Sequence, residues 1–373
     1  MSDSDTTESP PNKRLRLNTE SECSESSTSY CRRSRTASPT RHLVLFQANH
    51  VIDRQSFTGE KQRPKRLDDL VNLIKNDAIG MGILTQPDWH SIRAYSEQHP
   101  DERVLLSDLL NTQRLIDTTG ERTNLGVMPP IADLVEIWRE ANTCEVNGHS
   151  EAAWNSEVHS PLLKAALRYS VVNQPGDPRP VKIAHTNMTT AQIIECYSLY
   201  QRTKPEKRAD RVDFCFYLQP KSQPTKGALS SAAQRSVHGS INHTDYIALL
   251  NRPISLSIKT DRKAGLEHMS VWLSAHWDRL DELGADKERL LERAMFLPGI
   301  IVQGHTWALV AATQGALLRD RGETIIWTQI PIGSTEGLQG ICQIITVLQR
   351  LAVWSTDTYW PWLANLTHCQ CST

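Results

Sequence analysis

The stretch that most constrains the fold is Arg252-Pro253-Ile254-Ser255-Leu256-Ser257-Ile258-Lys259-Thr260-Asp261-Arg262-Lys263. Apolar residues stand at 254, 256 and 258, and polar residues at 255, 257, 259 and 261. Alternation with period two predicts a half-buried β-strand, and Pro253 suits its first position. Lys259 and Asp261 leave the same face of that strand, roughly 6.6–7 Å apart. Such a strand end is either the floor of a site or a solvated terminus; the rest of the chain decides between them.

Two further segments carry acids. Arg211–Leu218 reads as a strand, with Asp213 set among strong β-formers. An acid between Val212 and Phe214 needs a hydrogen bond, a counter-charge or a metal. Ala153–Leu163 reads as a helix bearing Glu157. Pro161 falls inside it, so either the helix kinks or Ser160 caps a new one. Carboxylates from separate elements can hold a hard divalent cation through oxygen, and a nearby lysine can stabilise charge on phosphate.

These blocks carry a resemblance. Ala153–Leu163, Val212–Cys215, Asn242–Tyr246, Arg252–Ile258, Phe296–Trp307 and Tyr359–Leu363 together resemble the fungal PD-(D/E)XK nuclease-like proteins of the restriction-endonuclease-like superfamily. The resemblance covers roughly Cys144 to Leu363. It implies an α/β fold: a restriction-endonuclease-like core with a mixed central sheet flanked by helices. It also places Glu157 and Asp213 where the family's first two acids belong, and His268 where a glutamine often stands. The third motif departs from the family. Ser-Ile-Glu-Thr-Lys is usual there, and this chain has Ser257-Ile258-Lys259-Thr260-Asp261.

The implied site residues are therefore Glu157, Asp213, Lys259, Asp261 and His268, with Glu157, Asp213 and Asp261 as metal ligands. Three functions follow. In one, the chain is a degenerate nuclease that binds nucleic acid or a partner, because a lysine at the acid position repels a dication. In another, it is an active phosphodiesterase using Mg2+ or Mn2+, with Lys259 and Asp261 exchanging roles. In the third, it is a protein-interaction module without a nucleic-acid role. A register two residues on, Asp261-Arg262-Lys263, also satisfies D-x-K, but it moves the acid by roughly 7 Å.

The remaining chain sets the frame. Residues 1–42 are rich in Ser, Thr, Glu and Arg and predict a disordered tail. The basic clusters at Lys13-Arg14-Leu15-Arg16 and Arg32-Arg33-Ser34-Arg35 suggest nuclear import; otherwise the protein is expected in the cytoplasm. Residues 43–142 predict a helical layer, 143–366 the nuclease-like domain and 367–373 a terminal tail. Within the domain, Val181–Ala184 predicts a strand, Thr190–Tyr200 a helix and Lys221–Gly239 a loop. The last helix is expected to start at Ser334 or Thr335. His243 is expected either to contact phosphate or to cap a turn, and Trp354, Trp360 and Trp362 to pack. Net charge is −1, so any binding of DNA or RNA needs a local patch rather than bulk attraction. The eight cysteines lack paired C-x-x-C spacing and read as reduced thiols. Cys369 and Cys371 beside His368 are a weak candidate for metal. No run is apolar and long enough to suggest a membrane partner.

Overall fold

The structure, a computed structural model, describes residues 44, 51–199, 211–261, 264–284, 295–318 and 321–367. The tail over 1–42, Arg262 and Lys263 of the shifted register, and the His368–Cys371 group lie outside these residues. In chain order the described elements begin with β1 (Ile52–Ser56), α1 (Lys65–Ala78), α2 (Gln86–Gln98), α3 (Arg103–Asn111) and α4 (Ile131–Val146), after a helical residue at 44. Next come α5, continuous through Glu151–Trp154, Asn155–His159 and Ser160–Arg168, then β2 (Val181–Asn187), β3 (Phe214–Pro220) and α6 (Gln223–Gln234). The chain continues with β4 (Ile254–Thr260), α7 (Gly265–Leu283), β5 (Phe296–Gln303), β6 (Thr306–Leu318) and β7 (Arg321–Ser334). It ends with α8, which runs through Leu338–Trp354, Ser355–Tyr359 and Trp360–Leu366.

The strands form one seven-stranded mixed sheet in the order β1-β7-β6-β5-β4-β3-β2. β1–β7 and β4–β5 are parallel; the other neighbours are antiparallel. β4 lies between β3 and β5, and all seven of its residues are buried. The half-buried expectation is corrected here. Period two marks two chemically different faces, but both are covered. Ser257 on the polar face accepts a hydrogen bond from Trp272 Nε1 of α7 at 3.0 Å. On the opposite face Thr260 Oγ1 donates to Glu151 of α5. α7 thus roofs one side of the strand, and α5 lies over its end on the other. α1 and α8 add cover by packing on β7.

Local chemistry explains the other departures. The segment expected as a helical layer also contains a strand, because β1 pairs with β7 from Ile52↔Thr324 to Ser56↔Thr328. Lys221–Gly239 holds a helix, α6, rather than a loop: Ser222 caps it and Pro224 sits in the first turn, where its missing N–H costs nothing. The described residues 190–199 hold the short 3-10 turn Glu195–Tyr197 rather than a helix. α8 starts at Leu338, since β7 continues to Ser334 and Thr335 is tied to His305. Pro161 neither ends α5 nor starts a new helix. The turn before it widens, and Ser160 N–H donates to Asn155 O five residues back. A wider turn relieves the clash a proline ring makes with the preceding turn.

Candidate functional site

The antiparallel register of β3 and β4 sets Phe214 opposite Ile258, and one residue further Asp213 stands opposite Lys259. Cross-strand partners share a face, so the two side chains meet. Both are buried, at 4% and 7% exposure. Lys259 Nζ donates to Asp213 Oδ2 at 2.8 Å and to Thr260 O at 3.2 Å, and lies 3.5 Å from Glu151 Oε1. Asp213 Oδ2 also accepts from Thr260 N at 2.7 Å, and Glu151 Oε1 accepts from Thr260 Oγ1 at 3.2 Å. Two carboxylates and a carbonyl, from three chain segments, therefore converge on one ammonium. Three oxygens match its three donors.

Glu151, and not Glu157, lies beside Lys259. It occupies the first turn of α5, whose start is fixed by Ser150 accepting from Ala153 N. Partial burial, opposed by the Lys259 charge and reinforced by Asp213 and Asp261, pushes the Glu151 carboxyl above its ordinary range. Glu157 is exposed and accepts from Ser156 Oγ at 3.0 Å. Six helical positions separate it from Glu151, roughly 9 Å of rise and well over half a turn of rotation. Its charge bears on Cys144 of α4, away from Lys259. Ser150 followed by Glu151 was the signal that could have found this acid: a good N-cap starts the helix there and aims its first turn.

Asp261 and His268 lie together, His268 Nδ1 being 3.3 Å from Asp261 Oδ2. Asp261 Oδ1 also accepts from Ala264 N at 3.1 Å, at the start of α7. Asp261 is therefore engaged with the helix terminus. A cavity of about 270 Å³ opens beside the cluster, walled by Glu151, Thr260, Asp261 and His159 among others. His159 is buried, which holds its imidazole down to about 4, and it stacks on Trp154.

Donor chemistry gives a direct test of a resident Mg2+ or Mn2+. Oxygens from several elements suit a hard dication, but here they are turned on an ammonium 2.8 Å from Asp213. Among the described residues no group of three or more His, Cys, Asp or Glu is arranged to hold a metal ion. The residues present do not fit the metal, because the nitrogen of Lys259 stands where it would enter.

A family model described as the PD-(D/E)XK nuclease superfamily matches residues 101–360. The chain belongs to this superfamily. No curated protein and no solved structure gives a significant match. Within the PD-(D/E)XK domain the other candidates are accounted for by packing. His243 is fully buried against Trp272, and neither of its ring nitrogens caps the turn among the described residues. Trp354 and Trp360 are buried, and Trp362 packs edge-on against Trp277. The four described cysteines, Cys144, Cys196, Cys215 and Cys342, are free thiols. No helix among the described residues is long and apolar enough to cross a membrane.

Proposed function

We propose that this chain is a PD-(D/E)XK domain that binds nucleic acid without cleaving it, its cation having been exchanged for the ammonium of Lys259. The observation that carries the reading is the set of three oxygens around Lys259 Nζ, at 2.8, 3.2 and 3.5 Å. A lysine in that place neutralises the acids and keeps the strand ends together without a dissociable ion. It cannot do what a dication does for a phosphodiester, because its ammonium is held by two hydrogen bonds and an ion pair to protein oxygens and the side chain is only 9% exposed. Nucleic acid as the partner follows from the superfamily rather than from the cluster. With a net charge of −1, contact with phosphate depends on local basic residues.

The test is incubation of the natural protein with single- and double-stranded DNA and RNA, with Mg2+ or Mn2+ and separately with a chelator. Labelled oligonucleotides are expected to be retained equally in both conditions and to stay full length. Metal-dependent shortening that disappears in Asp213→Asn would show a working nuclease. Absence of both binding and cleavage would favour the protein-interaction function.

A further inference from the structure

A second buried titratable cluster lies away from Lys259. His243 is 0% exposed and His276 of α7 is 3% exposed. Their rings stack with centroids 4.7 Å apart at 27°, and His243 meets Trp272 at 4.4 Å and 77°. Neither ring nitrogen of His243 has a hydrogen-bond partner among the described residues. A neutral imidazole carries one donor and one acceptor, and leaving both unmade inside a fold is costly. An imidazolium in the same place would cost far more.

Among the described residues no acid is paired with either ring, and on α7 itself Asp281 is bonded to Gln314 and Asp278 is half-buried. From α7 comes Arg279, itself buried and cationic, which donates to Ser240 O at 2.8 Å and pairs with Glu282 at 3.1 Å. From the 3-10 turn comes Tyr197, whose hydroxyl is bonded to Glu282, with Glu195 and Cys196 exposed beside it. β4 presents Ser255 and Ser257 on this face, and its Lys259 is held by Asp213. Asp245, on the histidine's own segment, and His238, just before it, are both exposed. The segment itself is tied down at several points. Ile194 N donates to His243 O at 2.9 Å, and Asn242 Oδ1 accepts from Ile254 N at 2.9 Å.

We propose that the His243–His276 stack is an acid-sensitive latch that holds the Ser240–Tyr246 segment against α7. Protonation of either ring requires the segment to leave. Burial holds both imidazoles neutral, with His276 pushed down to about 3 and His243 lowered further by its neighbour. Released into water they titrate near 6.5. Folded values below unfolded ones mean that the latch is complete above about pH 6.5 and weakens as pH falls below it. Opening takes up two protons, so its equilibrium constant rises about 100-fold per pH unit well below 6.5, and about tenfold where one histidine remains.

Hydrogen exchange of the full chain, corrected for intrinsic rates and followed from about pH 7.5 to about pH 5, reads this slope directly. The 240–246 segment is expected to open with a two-proton slope, and His276→Phe, which keeps the ring stack, to lose one proton from it. His243→Phe is expected to do the same, so the prediction survives if one variant fails to fold. A pH-independent opening of the natural protein, or a slope unchanged in a folded variant, would overturn the proposal. So would the same slope in β6, because the uptake would then be global.

Discussion

At the scale of one residue, the molecule turns on Lys259. It is not the exposed strand-end charge that alternation alone suggests. Removing its side chain leaves the buried Asp213 carboxylate with Thr260 N but without a counter-charge, and breaking a buried ion pair this way costs about 3–5 kcal/mol. Lys259→Ala should show that loss in denaturant unfolding. Exchanging the two charged residues, Lys259→Glu with Asp261→Lys, is not neutral either. It would gather three carboxylates and take Asp261 from Ala264 N and His268 at the start of α7. Glu151 and Glu157 separate cleanly in a Lys259→Ala background. Adding Glu151→Gln should weaken uptake of Mn2+, whereas adding Glu157→Gln should leave it unchanged, as read by calorimetry. Asp213 and Lys259 were legible in the sequence because an acid in an apolar strand and a charge ending an alternating strand each demand a partner. Glu151 was not, because it lies before the Ala153–Leu163 block and reaches the site only through a helix start set by the Ser150 cap.

At the scale of elements, β4 was legible in position and period but not in burial. Two serines on a face look solvated until a Trp272 indole is found bonded to one of them. Prolines were the other ambiguity. Trp154, Glu157 and Pro161 recur as Trp354, Asp357 and Pro361, and in both places a π-helical turn, Asn155–His159 or Ser355–Tyr359, precedes the proline. Nothing in the composition of either stretch distinguishes a widened turn from a break. Backbones come close where α8 meets the end of β7. A Cβ on Gly340 would lie 2.0 Å from Ser334 O, and Gly333 (φ 150°) approaches Gly340 O from the other side. Gly340→Ala should therefore destabilise the fold by at least about 1–3 kcal/mol, the usual range for overpacking. Thermal unfolding of the variant checks this.

At the scale of the whole molecule, the mixed sheet with helices on both faces was readable through the family resemblance. The strand order was not readable from local pattern. Pairing Ile52 with Thr324 joins residues near opposite ends of the described chain, and no local periodicity reports such a contact. The pairing of β3 with β4 and the start of α5 bring Asp213, Thr260 and Glu151 together around the Lys259 ammonium. The most direct test is calorimetric titration of Mn2+ into the natural protein and into Lys259→Ala, with the unfolding temperature measured in parallel. The natural protein should take up no Mn2+ at this site. The variant should bind one ion, gain thermal stability from it, and lose both when Asp213→Asn is added. Uptake of one Mn2+ by the natural protein, abolished by Asp213→Asn, would contradict this account, as would a folded Lys259→Ala that ignores the metal.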